Sequence, residues 1–122
     1  MNRLMIVDDA LIMRMKIKDI ASAAGWDVVA EAANGQQAIE LYSQHAPDLV
    51  TLDMVMPKLD GLSALRAIRE INPQAQVVMV SAVDQKEKLK DCIKSGAMDF
   101  IVKPFDPDRL QAFFERYLDT DE

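Results

Sequence analysis

The 122-residue chain predicts an α/β fold: a single parallel β-sheet of five strands with helices on both faces. Three observations lead there. Five short runs rich in Val, Ile, Leu and Met are separated by segments whose apolar residues recur at helical spacing. The runs are apolar throughout rather than alternating, as strands buried on both faces are. Strand-like and helix-like segments alternate five times, the order that builds a parallel sheet with right-handed crossover helices on its two sides.

Taken in order, residues 3–9 form the first strand, an apolar run ending in Asp8 and Asp9. From Ala10 the period changes. Met13, Ile17, Ile20, Ala21 and Ala24 fall on one face of a helix with Arg14, Lys16, Lys18 and Asp19 between them, and Gly25 ends it. Residues 27–32 are a weaker strand nearer a sheet edge. Asn34-Gly35 signals a turn, with Asn34 a cap for a short helix over 36–43 that turns Ala38, Ile39 and Tyr42 inward. Pro47 closes that helix.

The next run, Leu49-Val50-Thr51-Leu52-Asp53, is the stretch around which the chain is organised. It carries one carboxylate, Asp53, to the end of a central strand, and Pro57 forbids the ladder from continuing. Ligands of open α/β sheets bind at such strand ends. Leu62, Leu65, Ile68 and Ile71 give the apolar stripe of a third helix that stops at Asn72-Pro73. Residues 76–82 form a fourth strand ending at Ser81. A helix over 85–95 follows, with Leu89, Cys92 and Ile93 inward and Gly96 at its end. Residues 99–104 are a fifth strand ending in Lys103. Leu110, Phe113, Phe114 and Tyr117 then mark the last helix.

The bulk composition narrows the function. Half of the residues are hydrophobic, enough for a core without disulfides or structural metal. A net charge of −6 lacks the basic face that nucleic acid or anionic lipid requires, so neither is an expected partner. The single cysteine, Cys92, excludes an internal disulfide and reads as a small apolar filler. No leader or long apolar span is present, and a reducing, cytoplasmic setting is the expectation.

Four of the five strands end in polar side chains: Asp8 and Asp9, Asp53, Ser81, and Lys103. All strands of a parallel sheet point the same way, so these residues must meet at one rim. Three carboxylates there repel one another and call for a cation. An all-oxygen donor set suits Mg²⁺ rather than zinc, with His45 and Cys92 elsewhere. A carboxylate nucleophile, a cation, a lysine and a hydroxyl together describe a site for a phosphoryl group. The competing account, a rim of solvated acids beside an unrelated lysine, needs four strand ends to coincide. A serine triad and a glycine-rich phosphate loop are both missing from the sequence.

Four segments carry a resemblance that runs nearly the length of the chain. They are Ile6-Val7-Asp8-Asp9, Leu52-Asp53-Met54-Val55-Met56-Pro57 followed by Asp60-Gly61, Val80-Ser81-Ala82, and the stretch from Ser95-Gly96-Ala97 to Lys103-Pro104-Phe105. Each is weak alone and specific in combination. The chain resembles the receiver domains of two-component response regulators, and within them single-domain chemotaxis regulators of the CheY type. The resemblance implies a single receiver domain over residues 1–122, a flavodoxin-like (βα)₅ fold and the strand order 2-1-3-4-5, which the sequence pattern does not fix.

It also implies roles. Asp53 is the phospho-acceptor, receiving its phosphoryl group from a sensor histidine kinase. Asp8, Asp9, Asp53 and the backbone carbonyl of Val55 hold Mg²⁺, Asp8 mainly through water. Lys103 pairs with the phosphoryl oxygens, Ser81 swings to bond the phosphoryl group, and Phe100 turns into the space vacated. The Lys103-Pro104 bond is expected to be cis, and small Ala82 should leave the acceptor accessible. The chain promotes its own phosphorylation and dephosphorylation without turning over a separate substrate. Output is through the fourth helix, fifth strand and fifth helix to a downstream protein, the flagellar motor switch if the process is chemotaxis; only residues 119–122 follow the last helix, so no output domain is expected. Lys86, Lys88, Lys90 and Lys94 give the fourth helix a basic face, either simply solvated or matched to an acidic partner segment.

Departures from the pattern carry expectations too. Phe100 stands where enteric chemotaxis regulators commonly have tyrosine, so switching there rests on packing alone. Met54 and Val55 follow the acceptor, and Val83 follows the switch serine, at places where polar residues often orient a hydrolytic water. Slow autodephosphorylation and a separate phosphatase are therefore expected. Two other readings remain: a receiver belonging to a larger regulator with a DNA-binding or enzymatic output domain, and a Mg²⁺-dependent phosphatase. The latter usually needs a second carboxylate two residues after the nucleophile, where this chain has Val55.

Overall fold

The computed structural model describes residues 2–118, without the side chain of Val83. The acidic tail 119–122 lies outside the described residues, as does the expected effect of the Val83 side chain. Eleven pieces of regular structure alternate along the chain: β1 (Arg3–Val7), α1 (Leu11–Ala23), β2 (Asp27–Ala32), α2 (Gly35–His45), β3 (Leu49–Asp53), α3 (Gly61–Ile71), β4 (Val77–Ala82), a 3₁₀ turn (Val83–Gln85), α4 (Lys86–Lys94), β5 (Asp99–Lys103) and α5 (Pro107–Arg116). The five strands are parallel and ordered β2-β1-β3-β4-β5.

Side chains alternate between two cores. One face of the sheet, with Met5, Val7, Val50, Leu52, Val77 and Met79, packs against α2, α3 and α4. The other, with Leu4, Ile6, Leu49 and Val78, packs against α1 and α5. Trp26 closes the second core by donating its indole N–H to the Phe114 carbonyl at 2.8 Å. No helix among the described residues is long and apolar enough to cross a membrane.

Local chemistry sets the boundaries. Asn34, Asp60 and Asp106 each accept a backbone N–H from the first turn of the helix they precede. Gly25 and Gly96, with φ of +106° and +108°, end α1 and α4 in the left-handed region. The last turn of α2 runs to His45 and closes on Ala46 at φ 44°, two residues beyond the helix end expected from Pro47. Gln85 does not open α4. Its side-chain oxygen accepts the Ala82 amide at 2.9 Å and tightens residues 83–85 into a 3₁₀ turn. The Lys103-Pro104 peptide is cis.

Three burial expectations fail. Ile71 and Ile93 are 47% and 44% exposed, and Ile93 lines the open groove between α4 and β5. Their spacing fits the helical stripe, but each sits in the last turn of its helix. β5 is an edge strand, and Phe100 and Val102 remain over a third exposed because α4 lies chiefly against β4.

Thr51, in the middle of β3, is buried, and its hydroxyl has no hydrogen-bond partner among the described residues. A buried hydroxyl without a partner costs stability, and valine keeps the branched shape that strands favour. Thr51→Val is expected to raise unfolding free energy by about 1 kcal/mol, measured by urea denaturation; a loss of stability would mean the hydroxyl is satisfied.

Candidate functional site

Four elements deliver the rim. β1 ends at Val7, and the chain turns so that Asp8 is buried and Asp9 exposed. Asp8 is anchored locally: one carboxylate oxygen accepts the Ala10 amide at 2.9 Å. β3 carries Asp53 to its last position, 7% exposed. The turn that follows folds back tightly. The Gly61 amide donates to the Met54 carbonyl at 2.9 Å, and a Cβ at residue 61 would collide with the Asp53 carbonyl oxygen. Only glycine fits there, which is the physical content of the Asp60-Gly61 pair. β4 brings Ser81, buried, one position beyond the residue that pairs with Asp53. β5 brings Lys103.

These side chains meet. Oxygens of Asp8, Asp9 and Asp53 lie within 4.8 Å of one another. The Lys103 ammonium is 2.9 Å from Asp8 and 3.5 Å from Asp53. Burial pushes the Asp53 carboxyl up to about 6, the Asp8 charge adds to it, and Lys103 opposes. For Lys103, burial favours the neutral amine, but the Asp8 hydrogen bond and the charges of Asp53 and Asp8 outweigh it and hold the group above its usual range. The lysine is thus committed first to Asp8, and Asp53 is left with negative charge insufficiently balanced. A small hard cation fits that imbalance: the donors are all oxygen, and the site has more carboxylate charge than its one lysine neutralises.

Of the residues expected at the site, Asp8, Asp9, Asp53 and Lys103 come together. Ser81 shares the rim with them. Val55 follows in the loop, its side chain 51% exposed. Met54 does not face the site: it is buried against the α4 core with its sulfur 3.7 Å from the Cys92 sulfur. Continued alternation turns residue 54 away from residue 53. Cys92 is the filler expected, with burial pushing its thiol up to about 11. Ser81 and Phe100 line the same groove, of about 530 Å³, between α4 and β5. Phe100 is turned outward, 44% exposed. Sequence reading missed two features: Lys103's closer partner is Asp8, and Arg14 reaches back to the Asp8 carbonyl. For Arg14 the available signal was its position one turn after the acid pair.

The response regulator receiver domain family matches residues 4–115. The chain belongs to that family. Among its relatives, the chemotaxis protein CheY of Bacillus subtilis is 54% identical over 109 residues, covering 89% of this chain and 91% of that one. CheY of Thermotoga maritima is 47% identical over 108 residues, covering 88% and 90%. A crystal structure of Borrelia burgdorferi CheY with CheX, beryllofluoride and Mg²⁺ superimposes with a TM-score of 0.87 at 36% identity, covering 96% of this chain and 90% of that one. The chain is therefore a receiver domain homologous to CheY, a phosphorylation-dependent switch of two-component signalling. CheY-type receivers take their phosphoryl group from a histidine kinase, act on downstream targets and are generally not substrate-turnover enzymes. Receiver domains bind Mg²⁺ at an acidic pocket, and this chain brings Asp8, Asp9 and Asp53 together in an acidic cluster.

The raised Asp53 value has a stability consequence. The folded receiver holds the Asp53 proton more tightly than the unfolded chain, whose value is 3.8, so ionising Asp53 costs stability as pH rises from about 4 through about 6. Without divalent cation, Asp53→Asn is expected to stabilise the protein by on the order of 1–3 kcal/mol near pH 8. The gain should shrink to nothing near pH 4. Thermal unfolding across that range measures it, and a pH-independent gain would contradict the electrostatic cause.

Proposed function

We propose that this chain is a cytoplasmic, single-domain chemotaxis switch phosphorylated on Asp53. The observation that carries the reading is the meeting of Asp53, Asp8, Asp9 and Lys103 at one rim, with Asp53 at the end of the central strand. Residues 1–122 act as one receiver domain. Asp8, Asp9, Asp53 and the Val55 carbonyl hold Mg²⁺. When bound, it supplies the positive charge that lets an anionic carboxylate and an anionic phosphoryl group approach.

An Asp53 carboxylate oxygen attacks the phosphorus of the kinase's phosphohistidine. The P–N bond breaks, and its electron pair stays on the imidazole nitrogen. Lys103, already 3.5 Å from Asp53, turns from Asp8 to the incoming phosphoryl oxygens. Ser81 donates its hydroxyl to the new phosphoryl group. Phe100 then enters the α4–β5 groove that both residues line. Added charge at the rim thus becomes a packing change at a surface about one strand away. No separate substrate is turned over. Val55 occupies the place where a Mg²⁺-dependent phosphatase usually has its second carboxylate, which disfavours that reading.

Incubation with Mg²⁺ and acetyl phosphate should add one phosphoryl mass to the wild type and none to Asp53→Ala. An unmodified wild type would sink the proposal. The phosphoryl group should persist, because an exposed aliphatic Val55 cannot orient an attacking water, and a separate phosphatase would then end the signal. Val55→Asn should shorten the phospho-Asp53 lifetime; an unchanged lifetime would remove Val55 from the account.

The downstream partner is the flagellar motor switch, in line with relatives that are chemotaxis proteins. The α4–β5 groove has an apolar floor of Leu89, Ile93, Phe100 and Val102, and Lys86, Lys90 and Lys94 rim it. In a chain of net charge −6, that local basic rim fits an acidic segment with apolar anchors. Lys90→Glu with Lys94→Glu should weaken partner binding by about tenfold or more at low salt and by less at high salt. Unchanged affinity at low salt would leave the lysines as a solvated face.

A further inference from the structure

The turn after β1 sets Asp8 and Asp9 at the rim, and every polar group of Asp8 is engaged. Its amide donates to the Ala32 carbonyl at 3.0 Å, one carboxylate oxygen accepts the Ala10 amide, and the other accepts Lys103. Its carbonyl accepts the Arg14 guanidinium, Nη1 to O, at 2.6 Å. That carbonyl belongs to the peptide unit whose amide is Asp9's. Peptide planarity means that fixing the carbonyl direction fixes the plane from which Asp9 projects.

Arg14 is itself held. It sits one turn into α1, its backbone amide bonded to the Ala10 carbonyl at 3.0 Å. Its Nε donates to Glu31 of β2 at 3.3 Å, and its side chain is 15% exposed. The planar guanidinium spans two acceptors in fixed geometry, which a lysine cannot do. Lys18 meets the same Glu31 at 3.4 Å but is half exposed, and its ammonium is directed to Glu31 rather than to the Asp8 turn.

We propose that Arg14 is a positioning residue for the cation pocket: its grip on the Asp8 carbonyl sets where the Asp9 carboxylate stands and thereby the affinity for Mg²⁺. This rests on the reading of Asp8, Asp9 and Asp53 as the Mg²⁺ site. Charge and position make opposite demands here. A guanidinium near the carboxylates repels a cation, so losing its charge alone would tighten Mg²⁺ binding. Losing its grip lets the turn relax and loosens binding. The sign of the change tells them apart.

The experiment is a Mg²⁺ titration of the full chain followed by amide NMR shifts at Asp9, Ala10 and Asp53, without any phosphoryl donor. Four proteins are compared: wild type, Arg14→Met, Arg14→Lys and Lys18→Met. Arg14→Met should bind Mg²⁺ roughly tenfold more weakly, the scale on which partners behind the metal ligands act. Arg14→Lys keeps the charge but cannot bridge the Asp8 carbonyl and Glu31 together. It should fall between, and it carries the test if Arg14→Met does not fold. Lys18→Met removes the same charge from Glu31 and should bind as the wild type does. Binding by Arg14→Met equal to or tighter than wild type would overturn the proposal, as would an equal weakening in Lys18→Met. A wild type with no saturable shift would remove the cation site, and the positioning role with it. A wild type that binds, beside an unaffected Arg14→Met, would remove the positioning role alone.

Discussion

The structure turns on unbalanced negative charge at one edge of the sheet. Asp8 and Asp53 are buried there, Asp9 stands beside them, and a single lysine lies within reach. Burial and the neighbouring Asp8 charge both work against an ionised Asp53, and Lys103 only partly opposes them. The result is an Asp53 carboxyl pushed up to about 6 and a pocket with an appetite for positive charge. A fold selected only for stability would not keep this arrangement, because neutralising Asp53 should make the protein more stable. The cost is the sign of a site kept for chemistry.

The parallel sheet makes that edge possible. Every strand ends on the same side, so residues from position 8 to position 103 converge without long loops. The β1-β3-β4 centre is apolar on both faces and supplies rigid supports. The variable parts are the turns that leave it. One is held by the Arg14–Asp8 contact and one by the Gly61 close approach. Asp53 is therefore fixed by the core, while the acidic residues around it depend on two short turns.

Much of this was legible in the sequence. The apolar runs located the strands to within about two residues, and the polar residues at four of the five strand ends located the rim. Asn34, Gly25 and Gly96 marked helix ends through the same capping chemistry the structure uses. What stayed hidden depends on neighbours. Ile71 and Ile93 fit a helical stripe, yet nothing in their spacing says that they stay exposed in the last turns of α3 and α4. The exposure of Phe100 and Val102 follows from β5 lying at an edge, and strand order is not encoded in periodicity. That Lys103 chooses Asp8, and that Arg14 bends back across its own turn, are facts of three-dimensional distance. Met54 could have been read correctly: strand alternation alone turns it away from Asp53.

The proposed switch joins this rim to a surface one strand away. Ser81 and Phe100 border one groove, with Ser81 one position beyond the strand partner of Asp53 and Phe100 turned out toward solvent. The most direct test is to determine the structure of the chain with Mg²⁺ and beryllofluoride and compare Ser81 and Phe100 with their positions here. The account predicts the mimic on Asp53, the Ser81 hydroxyl within hydrogen-bond distance of it, and the Phe100 ring buried in the α4–β5 groove. The mimic bound at Asp53 with Ser81 and Phe100 unmoved, or bound anywhere else, would contradict it.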